Sequence, residues 1–259
     1  MAHFIRIMGS VKSRDNESCG RFDSKGIRDA IARELKKHVD EKYRRGAEAY
    51  FKEGILLYGV RAKRVRKIAA DFFKKIRKEN KKTIFGICEE LLRSRYSEEK
   101  TIAFAWAYRM QRQYAPRDFR LFELWLKRYV ANWGSCDDFC RHAFGVFLHR
   151  FPEFLPDVRA WTGSKNRWLR RGAAVIMIYS LRMGEQLDFA FNIADALMKD
   201  EDYLVQNGYG WMLKDASIRF PSQVLRYVER HKREMPRRAL RYAIERFTPQ
   251  QRRKVMGRI

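Results

Sequence analysis

Apolar residues recur along this chain with the period of a helix, and the residues that break helices stay between those stretches. Ile27, Ile31, Leu35 and Val39 fall at four-residue steps. Ile102, Phe104, Ala105 and Tyr108 continue the pattern, as do Leu121, Leu124, Trp125 and Leu126, and then Ala173, Val175, Ile176 and Ile178. A period near 3.6 places each set on one helix face. The six prolines, at 116, 152, 156, 221, 236 and 249, lie between these stretches or at their starts, where a missing N–H costs a helix nothing. No alternating strand pattern or Asn-Gly hairpin signal interrupts them. The spacing predicts an all-α chain, with helices over 24–39, 43–57, 61–80, 83–94, 98–114, 117–130, 136–150, 153–162, 165–182, 185–198, 203–218, 221–231, 236–246 and 248–256.

The connections are short, so consecutive helices are expected to be antiparallel neighbours. The segments 98–130, 136–162, 165–198 and 203–231 each read as one helix pair, at the roughly 35–40-residue interval of helical solenoids. The expected architecture is an α-α superhelix of the HEAT/ARM type, with a globular bundle as the alternative. Stacked pairs curve and leave a concave groove. Residues 1–23 are polar and expected to be a flexible segment ahead of a single helical-repeat domain over 24–259.

Charge narrows the partners. The chain carries 56 Lys and Arg against 31 Asp and Glu, a net +25. Such an excess repels itself in a compact state and marks a polyanionic partner. At 46% hydrophobic and 14% aromatic residues, this is not a disordered basic tail. Residues 61–82 hold eleven basic and two acidic side chains, and residues 226–259 hold twelve Lys and Arg and three Glu. Two basic blocks around a less biased middle suit phosphate backbones, which position a duplex without reading its sequence. An anionic membrane surface fits less well with so many aromatics in folded helices. No apolar run approaches the roughly 20 residues of a membrane span, and MAHFIRIM turns polar by Gly9, a poor signal peptide. Four cysteines (19, 88, 136 and 140) fit a reducing cytosol.

Few constellations could carry chemistry. Cys136, Cys140 and His142 offer only three local zinc ligands, so buried structural thiols are the expected reading. In Asn132-Trp133-Gly134-Ser135-Cys136-Asp137-Asp138, Ser135 is the expected helix cap and Asp138 completes an acidic capping box. Asp137 has no such role. A carboxylate kept in a groove built for a polyanion suggests that positive charge develops beside it. Arg171, followed by small residues, reads as a surface arginine near a close helix approach, and Trp211 as a core tryptophan.

Four stretches, AEAYFKEGILLYGVRAKRVRK (47–67), NWGSCDDFC (132–140), NRWLRRGAAV (166–175) and VQNGYGWMLKD (205–215), resemble the bacterial DNA alkylation repair glycosylases of the AlkD type. The resemblance runs from about residue 25 to about 245. It implies a HEAT-like repeat fold that excises cationic N3- and N7-alkylpurines from duplex DNA without a base-flipping pocket. It implies Asp137 as the catalytic carboxylate, Trp133 and Trp211 as groove tryptophans, Arg171 as the arginine that holds the DNA backbone, and Tyr50 as a concave-face aromatic. It implies no cofactor and no metal, a monomer, and a cytoplasmic, nucleoid-associated protein. The family often shows Trp-Asp-x-x-Asp where this chain has Trp133-Gly134-Ser135-Cys136-Asp137; a match shifted by one residue would give the role to Asp138. A non-catalytic DNA-binding protein on the same scaffold, or a helical-repeat protein that scaffolds other proteins, would share the fold.

Overall fold

The computed structural model describes residues 23–257, so the N-terminal segment before them lies outside the described residues. Within them the chain is all helix, with no strand. The α-helices are α1 (Ser24–Lys36), α2 (Glu41–Tyr50), α3 (Ala62–Ile76), α4 (Lys81–Leu92), α5 (Ser97–Arg109), α6 (Asp118–Tyr129), α7 (Trp133–Arg141) and α8 (Ala143–Arg150). They continue as α9 (Leu155–Ala160), α10 (Arg167–Val175), α11 (Met177–Met183), α12 (Leu187–Leu197), α13 (Tyr203–Ala216), α14 (Pro221–His231), α15 (Arg237–Ala243) and α16 (Pro249–Met256).

One row of helices forms the spine. α5 packs on α7, α7 on α10, α10 on α13 and α13 on α15. These helices start at Ser97, Trp133, Arg167, Tyr203 and Arg237, a step of about 35 residues that matches the period of helical repeats. The helices between them form the second layer. The core runs the length of the stack, and Trp106, Trp125, Phe122, Phe139 and Tyr209 are fully buried in it. Close approach along the spine depends on glycine. A Cβ on Gly210 would lie 2.7 Å from the Ala239 carbonyl oxygen on α15, and one on Gly172 would lie 2.9 Å from Leu126 Cδ2.

The structure corrects the sequence reading at two places on the spine. The helix expected over 136–150 is two helices and starts earlier. Asn132, not Ser135, is the cap: its backbone is extended, and its Oδ1 accepts from the Ser135 N–H at 2.9 Å. Ser135 already lies inside the first turn. Asp138 does not cap either. The same run breaks at His142, whose ring Nδ1 lies 2.9 Å from the Asp138 carbonyl oxygen, the acceptor that a continuing helix would give to a backbone N–H. The helix expected over 165–182 likewise divides at Ile176. At that point α8 comes close, with Gly145 facing the Ile176 carbonyl.

Ion pairs tie successive repeats together. Arg28 bonds Glu99, Lys81 bonds Asp118, Arg170 bonds Asp200 and Arg182 bonds Asp215, at 2.6–3.0 Å. Glu98 is 4% exposed, yet no cation pairs with it among the described residues. Its carboxylate instead accepts three backbone N–H groups, from Tyr58, Gly59 and Val60, at 2.9–3.1 Å. Gly59 has φ of +95°, a conformation that glycine adopts without strain. This clasp fixes the connection after α2, which carries Tyr50 and Phe51 toward α7. Glu98→Gln replaces one acceptor oxygen with a donor facing buried N–H groups. We expect it to lower unfolding free energy by about 1–3 kcal/mol in urea titrations.

Candidate active site

Three neighbouring spine helices, α7, α10 and α13, begin with side-chain caps. Asn132 caps α7, Asn166 caps α10 through the Trp168 N–H at 2.8 Å, and Asp202 caps α13 through the Leu204 N–H at 2.9 Å. Asp137, Arg171 and Asn207 occupy the same place in consecutive repeats, each the fifth residue after its cap. One repeat step therefore turns acid into base and base into amide, and all three line one cleft.

The cleft has a volume of about 390 Å³ and brings together every residue singled out from the sequence: Tyr50, Trp133, Asp137, Arg171 and Trp211. Trp133 and Asp137 sit one turn apart on α7 and share a face. Trp133 is half-buried. Phe51 stacks on it at 4.7 Å between ring centres, and Tyr50, 70% exposed, meets its edge at 5.8 Å. Trp211 is also half-buried rather than a core residue, with the Arg141 guanidinium 5.7 Å from its ring centre.

Asp137 and Arg171 form a forked pair. Arg171 Nε donates to Asp137 Oδ1 and its Nη2 donates to Oδ2, both at 2.8 Å. Nη1 donates to the Leu204 carbonyl on α13. The Arg171 side chain is 6% exposed and that of Asp137 15%. Arg171 is thus neither the surface arginine of the sequence reading nor free for a DNA backbone. Its planar fork is spent between repeats, and Gly208 on α13 lets that helix enclose it: a Cβ there would lie 3.1 Å from Arg171 Cγ. Burial pushes the Asp137 carboxyl above its ordinary range, while the charge and hydrogen bonds of Arg171, and the charge of Arg141, pull against that rise. Asp138 points elsewhere. It bonds His142 at 3.2 Å and faces a separate pocket lined by Arg66, Phe104 and Tyr108.

No motif in the sequence singles out the rest of the lining, which is Leu204 and the polar side chains Lys52, Glu53, Tyr203, Asn207, Lys214, Arg238 and Tyr242. A signal existed for some. Tyr203, Asn207 and Trp211 follow at four-residue steps on α13, so finding Trp211 in a groove points back to both. Arg238 and Tyr242 come from α15 by the same spacing. The Cys136 and Cys140 thiols are fully buried, and burial drives the Cys140 thiol well above its ordinary value. No group of three or more His, Cys, Asp or Glu that could hold a metal ion occurs among the described residues. No helix there is long and apolar enough to cross a membrane.

Removing one member of a buried pair leaves the other uncompensated. Arg171→Gln is expected to destabilise the chain by about 3–5 kcal/mol. Asp137→Asn in the same chain should recover part of that loss, and a double-mutant cycle by denaturant titration measures the coupling.

A model of the DNA alkylation repair enzyme family matches residues 31–247. Solved structures share the fold. A predicted DNA alkylation repair enzyme from Enterococcus faecalis superposes with a TM-score of 0.73 at 18% identity, over 82% of this chain and 98% of that one. AlkD2 from Streptococcus mutans gives a TM-score of 0.58 at 17% identity, over 86% and 99%. The alkylpurine DNA glycosylase AlkC of Pseudomonas fluorescens, bound to DNA containing an abasic-site analogue, gives 0.50 at 16% identity, over 90% and 65%. No curated protein matches significantly by sequence. At these identities the structures speak for the fold, while the family match spans most of the chain: the protein belongs to the DNA alkylation repair enzyme family.

Proposed function

We propose that this protein is a DNA glycosylase that hydrolyses the N-glycosidic bond of cationic N3- and N7-alkylpurines in duplex DNA. The observation that carries the reading is a buried carboxylate, Asp137, set among aromatic faces in one cleft of a chain with net charge +25. A cationic alkylpurine is already a good leaving group, so no general acid is needed. As the neutral base departs, positive charge builds on the sugar, as in other glycoside hydrolyses. Asp137 stabilises that charge and orients the attacking water. Trp133, Trp211 and Tyr50 offer π faces to the same cation, an attraction that strengthens as water is excluded. The reaction needs no pocket for an extruded base.

Arg171 fixes the direction of the Asp137 carboxylate and favours its ionised form. The phosphates then fall to exposed bases at the rim, Lys52 and Arg238, and to the basic blocks of α3 and of α14–α16. One observation favours a second reading. Arg171 occupies both oxygens of Asp137, which suits a DNA-binding protein without excision activity. Both readings require affinity for duplex DNA that falls steeply with salt; they part on release of free base.

Incubation with duplexes carrying N7-methylguanine or N3-methyladenine, followed by detection of free base, tests the proposal. Release is expected, and intact binding without release at high protein concentration would turn the case to the second reading. Asp137→Asn keeps shape and removes charge. It should bind duplex nearly as wild type and release base about 10²–10³-fold more slowly. Activity requires the ionised carboxylate, which is lost as pH falls. Because burial raises the Asp137 pKa, the rate of base release should fall at a higher pH than an exposed aspartate would give, and this acid limb should be absent from the residual rate of Asp137→Asn.

A further inference from the structure

The cleft holds a second carboxylate that the proposed chemistry does not use. Glu53 follows α2 and accepts a hydrogen bond from the Tyr203 hydroxyl at the start of α13, a contact between residues 150 apart in sequence. That bond holds the acid in place across the cleft. Asp137 is matched by Arg171 and Lys214 by Glu245, whereas Glu53, the cleft's other acid, and the rim bases Lys52 and Arg238 make no ion pair among the described residues. The exposed Arg238 lies over the Tyr203 ring at 5.3 Å rather than on the carboxylate.

Two orphaned oxygens add to this. Glu53 Oε2 is buried without a hydrogen-bond donor, and so is Asn207 Oδ1, one turn beyond Tyr203 on the same face of α13. Both residues line the cleft, and both atoms are acceptors lying beneath its surface. Leaving a buried acceptor unsatisfied is costly, and native structures retain few such atoms. A positive charge bound in the cleft would offset the cost at the Glu53 carboxylate.

We propose that Glu53, held by Tyr203, makes the cleft select a positively charged nucleoside over a neutral one. The reasoning is electrostatic. Aromatic faces attract cations but also pack against neutral rings, so they discriminate weakly by themselves. The charge of Asp137 is largely answered by Arg171 at 2.8 Å. The uncompensated negative charge at the cleft is that of Glu53, and it acts through a partly enclosed, low-dielectric space where Coulomb attraction is stronger than in water. Glu53 needs no contact with the reacting atoms for this. It determines specificity, while Asp137 acts on the sugar.

The proposal rests on the glycosylase reading for the kind of cation, so its test uses binding and not release alone. The probes are one duplex carrying a single N7-methylguanine, which is cationic, and the same duplex carrying 7-deaza-7-methylguanine, its neutral isostere. Wild type is expected to prefer the cationic duplex. Glu53→Gln should cut that preference on the order of tenfold, and Glu53→Asp, which keeps the charge, should retain most of it. A ratio of two affinities on one protein is insensitive to a general loss of stability. A wild type that prefers neither duplex, or a Glu53→Gln protein with the wild-type ratio, overturns the proposal. Released base with an unchanged ratio would leave the glycosylase reading standing without it. A ratio that depends on Glu53 in a protein that releases no base would support the proposal and remove the glycosylase reading.

Discussion

The forked pair between Asp137 and Arg171 is the contact on which the cleft depends. It joins two consecutive repeats, and the Arg171 bond to the Leu204 carbonyl brings in a third. Two charges this far from water are costly to bury, and the geometry offsets that cost with three hydrogen bonds from one guanidinium. Close helix approach is a condition of the arrangement. Gly172 and Gly208 flank the arginine, where larger residues would hold α10 from α6 and α7, or α13 from α10. A different spacing between repeats would leave a carboxylate and a guanidinium stranded separately.

From that pair the rest of the site follows by the repeat of the fold. Capped helix starts set the same end of α7, α10 and α13 side by side, and equivalent positions deliver an acid, a base and an amide. The connection after α2, clasped by Glu98, closes the far side with Tyr50, Phe51 and Glu53. The cleft is therefore assembled from α2 and the connection after it, and from α7, α10, α13 and α15. The basic blocks fall on α3 and on α14–α16, and of their basic residues Arg238 lines the cleft.

Much of this was legible in the amino-acid order. Helical periodicity and proline placement gave the all-helical class and the interval between pairs. Trp133, Asp137, Arg171, Trp211 and Tyr50 came from local patterns and a family resemblance, and they do share one cleft. Other features were not legible because they depend on distance between repeats. Arg171 read as a surface residue because nothing local shows that α13 encloses it. Glu53 and Tyr203 carry no motif, and their contact spans 150 residues. The misplaced cap and the missed break at His142 share one cause: short polar side chains compete with the backbone for the same hydrogen bonds, and sequence alone does not say which of Asn132 and Ser135 prevails.

The proposed excision depends on an ionised carboxylate in an aromatic cleft stabilising a cation on the sugar. Single-turnover measurement of free base from a duplex carrying one N7-methylguanine tests it most directly. Wild type is expected to release 7-methylguanine and leave an abasic site, at a rate that saturates with protein. Saturated binding of the same duplex with release no faster than its spontaneous loss would contradict it.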